Sequence, residues 1–305
     1  MSEPLVYLNG NLVPASQASL KIYDYGVVQG ATVTEMTRTF RHQPFRLDDH
    51  LTRLFRSLTS ARINIGMTPD ELLAVSHEVL ARNTKLIAPD DDLCLVQFVT
   101  AGENRMYAGQ GASVRSGPTV CLHTFPVPFA LWAKRLQTGV HVITPTVRHV
   151  PPQCCNPNMK HRSRMHYYLA DHEARLADPD ALALLLDLDG NVAETSGANF
   201  LMVEHGTIVS PTLRNTLPGI SRQTVIELAA KLGIPFVERN IPVHSAINAD
   251  EAFLSSTPYC LLPVTKFNGV AIGDGQPGAT YQRLMTAWNE LVGMDIAGQF
   301  AARGT

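Results

Sequence analysis

The chain reads as a mixed α/β protein of two domains, on three observations. Its 305 residues are enough for two sizeable cores. Runs with strand character alternate with helix-patterned ones along the whole length. A stretch at 126–137, with prolines and no hydrophobic period, separates the pattern into 1–125, a small N-terminal α/β domain, and 138–305, a larger one, with 126–137 as the linker.

The elements follow in order. Leu5–Leu8, then Asn9-Gly10, then Leu12-Val13 is a tight hairpin, because Asn-Gly accepts the positive φ of a type I′ turn. Val33–Phe40 alternates enough for a strand and is ended by His42-Gln43-Pro44. A helix follows, with Asp48 as its expected cap and Leu51, Leu54, Phe55 and Leu58 as its apolar stripe. Thr68-Pro69-Asp70-Glu71 is a capping box with proline at the first helical position, which predicts a helix over 69–83. Strands are expected at 93–100 and 119–125, joined by a small, glycine-rich loop at 102–118. From Gly139 the order is strand, loop, a helix entered at Lys160 with Met165, Tyr168 and Leu169 at helical spacing, then strands and two further helices. Asp187-Leu188-Asp189-Gly190-Asn191 marks a hairpin between apolar runs. Leu217-Pro218-Gly219-Ile220-Ser221-Arg222 opens a helix whose face is Val225, Ile226, Leu228, Ala229 and Leu232.

Composition narrows the function. With 45% hydrophobic residues, 17% charged residues and a formal charge of −2, the chain offers no electrostatic reason to bind nucleic acid or an anionic membrane. No apolar run approaches a spanning length, and Met1-Ser2-Glu3-Pro4 does not read as a signal peptide. The five cysteines lack a C-x-x-C pair, which points to a reducing cytoplasm. The eleven histidines show no ligand spacing, so no metal is expected.

Two short segments carry the chemistry. Asn156-Pro157-Asn158-Met159-Lys160-His161-Arg162-Ser163-Arg164 places one lysine just ahead of a helix. Ala193-Glu194-Thr195-Ser196-Gly197-Ala198-Asn199-Phe200 places one glutamate just after a hairpin. A lysine that can shed its proton is a nucleophilic amine, and a carboxylate can keep a ring nitrogen charged. Three further blocks accompany them: Phe45-Arg46-Leu47 through His50 to Arg53-Leu54, the Leu217–Arg222 run, and Phe253-Leu254-Ser255-Ser256-Thr257. A helix start behind a glycine offers unpaired N–H groups and partial positive charge, which suits a phosphate.

Taken together and in this order, the five blocks resemble the class IV pyridoxal-phosphate enzymes: branched-chain and D-amino acid aminotransferases, (R)-selective amine transaminases and aminodeoxychorismate lyases. The resemblance implies the two-domain fold type IV, with pyridoxal 5′-phosphate between the domains, and a homodimer. It implies that Lys160 forms the Schiff base, that Glu194 meets the pyridine nitrogen, and that Arg53, Ile220, Ser221 and Thr257 hold the phosphate. An amino donor and a 2-oxo acid are then the substrates.

The substrate side departs from the pattern. Thr34 stands where D-amino acid aminotransferases carry tyrosine, and an ungapped reading puts Cys94 and Val96 where branched-chain enzymes carry a tyrosine and an arginine. Arg38 matches a family arginine, and Arg105 in the glycine-rich loop is a second candidate for a substrate carboxylate. Lys160-His161-x-x-Arg164 is similar to the lyases, which favours pyruvate release from aminodeoxychorismate as the alternative reaction, whereas Glu35 favours transamination.

Overall fold

The computed structural model describes residues 3–304, which divide into two compact units. The first comprises residues up to Val127 together with Met159–Arg164, and the second comprises Pro128–Asn158 and the chain from Met165 onward. The lysine segment thus belongs with the N-terminal unit, a detail that contiguous domain boundaries could not express.

In the first unit, β1 (Leu5–Leu8), β2 (Asn11–Pro14), β3 (Thr32–Phe40), β4 (Gln43–Pro44), β5 (Leu93–Thr100) and β6 (Thr119–Pro126) form one antiparallel sheet in the order β2-β1-β6-β5-β3-β4. The β1–β2 turn uses Asn9 at φ 52° and Gly10 at φ 94°, as the Asn-Gly pair predicts. Four helices complete the unit: α1 (Tyr25–Val28), α2 (Leu47–Ser60), α3 (Pro69–Asn83) and α4 (Arg105–Ala108). The capping box of α3 forms in full, with Thr68 Oγ1 accepting from Glu71 N–H and the Glu71 carboxylate accepting from Thr68 N–H. The expected cap of α2 is displaced. The N-cap is Arg46, in the left-handed region at φ 56°, and Asp48 and Asp49 lie in the first turn, where their charge complements the helix dipole.

A strand turns successive side chains to opposite faces. On β3, Val33 joins the core made with Leu51, Leu54, Leu58, Leu72, Val79, Leu95, Val99 and Leu122, which places α2 and α3 on that face. Thr34, Met36 and Arg38 take the other face, paired in register with Phe98, Val96 and Cys94 of β5. The strand was legible in sequence, but its buried polar residues were not.

The second unit begins with α5 (Phe129–Thr138), where the sequence suggested a linker. Its period is concealed by the prolines at 126 and 128, which precede the helix. Phe129 packs edge-on against Phe300 at 5.1 Å between centroids. Next come β7 (Val140–Ile143), α6 (Met165–Ala177), β8 (Leu182–Leu186), β9 (Val192–Thr195), β10 (Asn199–Glu204), β11 (Thr207–Ser210), α7 (Ile220–Lys231) and β12 (Phe236–Glu238). The chain ends with α8 (Val243–Ile247), β13 (Glu251–Ser256), β14 (Cys260–Phe267), β15 (Val270–Ala271), α9 (Ala279–Val292) and α10 (Ile296–Arg303).

The sheet runs β12-β11-β10-β13-β14-β7-β8-β9, and β9 pairs back to β10 through Glu194 and Asn199. Strands β10, β13, β14, β7, β8 and β9 therefore close on themselves, which removes the exposed edges that an open sheet would leave there. Among the described residues, no helix is long and apolar enough to cross a membrane.

Helix α6 has the expected period but a different phase. Met165, Tyr168 and Leu169 are 69%, 68% and 47% exposed, and the buried face is Tyr167, Ala170 and Ala174, packed on Ala183 and Leu185 of β8. Small residues let the helix approach the sheet closely, and this decides the face over bulk hydrophobicity. Ala170→Leu should therefore cost about 1–3 kcal/mol through overpacking, while Leu176→Gln on the exposed side should stay within about 0.5 kcal/mol, both read by urea unfolding.

Candidate active site

In the first unit the functional groups gather on β3, α2 and the lysine segment. That segment lies along β3: Thr34 N–H donates to Lys160 O at 3.0 Å, Arg162 N–H donates to Thr32 Oγ1 at 3.0 Å, and Val33 and His161 form a bridge. Lys160 N–H donates to Ser57 Oγ of α2 at 3.2 Å. The lysine is thus fixed to the scaffold through both its backbone N–H and its carbonyl.

Beneath it lies a buried ion cluster. Arg53 on α2 donates through Nε and Nη2 to the two oxygens of Glu35 at 2.7 and 2.8 Å, and His50 Nδ1 lies 2.8 Å from Glu35 Oε2. Glu35, His50 and Arg53 are all buried. Burial alone would raise the Glu35 carboxyl, but the Arg53 charge and the hydrogen bonds from His50 and Arg53 override it and hold the group well below its usual range. Burial lowers His50, with Arg53 and Lys160 adding to the effect and Glu35 opposing it, so the imidazole is a neutral Nδ1–H donor.

Lys160 is lowered to about 8. Burial is the main cause, the positive charges of Arg53, Arg164 and Arg162 reinforce it, and Glu35 pulls the other way. A deprotonated amine is therefore accessible near neutral pH.

The second unit organises Glu194. It is the last residue but one of β9, facing Asn199 at the strand closure. Glu194 Oε1 accepts from Tyr167 Oη–H at 2.9 Å, and Oε2 accepts from Asn199 Nδ2–H at 3.1 Å and Leu217 N–H at 3.0 Å. Three donors thus fix its two oxygens in place. Asn199 Nδ2 also donates to Leu217 O at 2.9 Å, tying β10 to the loop that enters α7.

At that entrance Gly219 is the N-cap, and no side chain caps α7, so Ile220 and Ser221 stand in its first turn with their N–H groups outside the helical ladder. A Cβ on Gly219 would meet Asn199 Oδ1 at 2.1 Å, which is why glycine is needed there. Thr257 sits in the turn between β13 and β14, next to Ser256, whose hydroxyl donates to Gly197 O at 2.6 Å. Glu194, Ile220, Ser221 and Thr257 thus share one end of the closed strands.

The four substrate-side candidates fare differently. Thr34 and Arg164 lie at the lysine: Thr34 pairs with the segment, and Arg164 acts on Lys160 by its charge. Arg38 is 1% exposed, and its guanidinium stacks 4.4 Å from the Phe40 ring, four residues along β3 from Thr34. Arg105 is exposed at the start of α4.

Sequence reasoning missed Arg162, whose Nη2 reaches Thr34 Oγ1 at 3.4 Å, and missed His149 and Tyr167 behind Glu194. Arg162 was visible as the nearer arginine of the Arg-Ser-Arg run after the lysine. His149 carried no signal, being one of eleven scattered histidines.

Residues 32–267 match the profile of the family described as amino-transferase class IV. A Methanocaldococcus jannaschii protein that carries a provisional branched-chain-amino-acid aminotransferase name is 31% identical over 287 residues, covering 94% of this chain and 96% of its own. The D-alanine aminotransferase of Bacillus licheniformis is 29% identical, covering 92% and 95%. The T.th. branched-chain amino acid aminotransferase solved with pyridoxamine 5′-phosphate superposes with a TM-score of 0.83 at 26% identity, covering 97% of this chain and 95% of that one. These relatives favour amino-group transfer over the lyase reaction.

Glu35→Gln should destabilise the protein by about 3–5 kcal/mol, because it removes the carboxylate that pairs with the buried Arg53. The pH dependence follows from the depressed carboxyl. Above the ordinary glutamate range Glu35 is ionised both folded and unfolded, and its contribution is complete. As pH falls below that range the unfolded chain takes up the proton first, and the contribution is progressively lost down through the folded-state value. Urea unfolding from pH 7 to pH 3 should show a steeper loss in the wild type than in Glu35→Gln.

Proposed function

Because the chain belongs to the class IV aminotransferases, a pyridoxal-phosphate-dependent family acting on amino and 2-oxo acids, we propose that Lys160 is the amine that holds the cofactor aldehyde and Glu194 the partner of its pyridine nitrogen. One observation carries this reading. Lys160 is the lysine whose backbone is clamped to β3 and α2 and whose amine is lowered to about 8 among three arginines.

The same reading assigns the phosphate. The uncapped start of α7 offers the Ile220 and Ser221 N–H groups to a phosphate, and Arg53 and Thr257 add charge and a hydroxyl. Glu35 takes the Nε–Nη2 edge of Arg53, so the guanidinium is oriented by a buried carboxylate before it meets any anion. When bound, the cofactor supplies an aldehyde that condenses with amines and a ring that accepts electrons from the substrate carbon. Lys160 Nζ would also be the general base that moves a proton at the substrate α-carbon. Its lowered affinity for protons suits that duty at neutral pH.

For the substrate we infer an amino acid or amine whose carboxylate, where it has one, meets Arg162 or Arg164. The β3–β5 face beside the lysine segment is lined by Met36 and Val96, in register, which suits an apolar side chain. Cys94, buried opposite Arg38, supplies no clamp. The absence of the branched-chain clamp at Cys94 and Val96 is the ground for favouring D-amino acids and primary amines over leucine and valine. The reading includes a homodimer, carried by the motif resemblance alone, and a reducing cytoplasm, which the free thiols suit.

Lys160→Ala should abolish turnover and leave the unfolding transition in place, because the residue supplies a bond rather than packing. Borohydride reduction of the wild type, followed by peptide mapping, should fix the cofactor on Lys160, and an adduct on another lysine overturns the assignment. In the wild type, a 2-oxo acid product should appear only in step with amination of an added 2-oxo acid. Pyruvate released from aminodeoxychorismate without an acceptor would reverse the choice of reaction.

A further inference from the structure

One face of the first sheet gathers positive charge that no neighbouring group answers. On the face away from α2, β3 presents Thr34 and Met36, β5 sets Phe98 and Val96 opposite them, and β6 adds Cys121 and His123 next in register. The lysine segment runs along β3, and Arg162 brings its guanidinium to this face, where Nη2 donates to Thr34 Oγ1 at 3.4 Å. His123 stands half-buried on the strand beyond Val96. All of these residues belong to the first unit.

Neither polar group has a partner of opposite charge. Among the described residues, His123 forms no hydrogen bond or ion pair, and its ring contact is with Phe125 at 6.3 Å between centroids. The Arg162 guanidinium has its one long bond to a hydroxyl and no ion pair. The charge that acts on His123 is Arg162, and the charge that acts on Arg162 is Arg164. An arginine and an imidazole thus share an apolar floor of Met36, Val96 and Phe98, with a second arginine close enough to act, and like charges are unfavourable there. The rest of the face supplies no anion. Arg38 lies further along β3 beside Cys94, and burial pushes the Cys94 and Cys121 thiols up to about 12 and about 11, so both stay neutral.

A carboxylate has the chemistry this face lacks. Its two oxygens can accept from a planar guanidinium and from an imidazole N–H at once. The place is next to the lysine, because Thr34 N–H donates to Lys160 O and Arg162 follows two residues later.

We propose that Arg162 and His123 form the substrate carboxylate subsite, so that the protein selects amino acids and 2-oxo acids over amines that lack a carboxylate. The proposal rests on Lys160 as the reactive amine and narrows the reading above to Arg162, with His123 as a specificity-determining residue. Val96 stands where branched-chain enzymes carry their arginine, and His123 is its partner in register, so the lost charge is restored from the next strand and from the lysine segment. Burial and the Arg162 charge lower His123, so its imidazole is neutral at neutral pH and offers one N–H. A bound carboxylate offsets Arg162 and favours the imidazolium. Binding therefore takes up part of a proton, and affinity falls as pH rises between the free and the bound value.

The test uses the full-length protein loaded with pyridoxal phosphate, and propionate as a carboxylate without an amine. Nitrogen–proton NMR of the histidine side chains, assigned with His123→Asn, should show His123 moving as propionate is added, and calorimetry should show proton uptake. Arg162→Gln should weaken propionate binding by about ten- to a hundredfold, the range of a charge-assisted arginine contact. A His123 signal unmoved by propionate, no binding, or equal affinity in Arg162→Gln overturns the subsite. Turnover is read as a ratio, which cancels any effect of Arg162 on Lys160. The preference for D-alanine over isopropylamine in kcat/KM should fall in Arg162→Gln and in His123→Asn, and an unchanged ratio in both overturns the assignment. If a variant does not fold, or neither amine is turned over, the wild-type NMR decides alone. If borohydride fixes the cofactor on Lys160 but propionate leaves His123 unmoved, only the subsite falls; if the cofactor fixes elsewhere while His123 responds, the subsite stands and the Lys160 reading falls.

Discussion

Burying a carboxylate is unfavourable unless donors replace the water it loses, and both units are organised around meeting that requirement. In the second unit Glu194 is satisfied by a phenol from α6, an amide from β10 and a backbone N–H from the loop before α7. Those three donors come from segments far apart in sequence, so the closure of β9 onto β10 and the placement of α7 are conditions of the same hydrogen-bond set. Asn199 is the hinge of it. Its amide donates both to Glu194 and to Leu217 O, and its Oδ1 occupies the space that a side chain on Gly219 would need.

The first unit meets the requirement with charge. Glu35 is fully buried and is matched by the paired N–H groups of Arg53 and by His50, both on one face of α2 and three residues apart, which brings them side by side. The cluster has a second consequence, because its charges reach Lys160. Glu35 favours the ammonium and Arg53 disfavours it, and with burial and two further arginines the balance falls on the side of the free amine. The buried ion pair is thus stability and reactivity at once: the same arginine that neutralises Glu35 helps to deprotonate the lysine.

Much of this was legible in sequence, and the parts that were not share a cause. Hairpins, capping boxes and strand runs depend on a few neighbouring residues, so Asn9-Gly10, Thr68 with Glu71 and the 93–100 strand fall where local chemistry puts them. The chemical motifs were legible for the same reason: Lys160, Glu194 and the Leu217–Arg222 run each stand within a contiguous block. What a local reading misses is which neighbour a residue meets. Helix α6 has its period on view, but Met165, Tyr168 and Leu169 outrank Tyr167, Ala170 and Ala174 in hydrophobicity, and only the close approach to β8 reverses the order. The stretch at 126–137 hid a helix because its prolines precede the first turn instead of breaking it.

The hidden residues of the site follow the same logic. His149 and Tyr167 are separated by 18 positions, and nothing in either neighbourhood marks them. Their place behind Glu194 arises only from three side chains that the fold brings within hydrogen-bond reach. Arg38 shows the converse. It matches a family position, and the fold sets its guanidinium on Phe40 at 1% exposure, four places along the same face of β3 from Thr34. A motif can therefore supply the chemistry of a side chain, while its use depends on the partner that the fold brings to it.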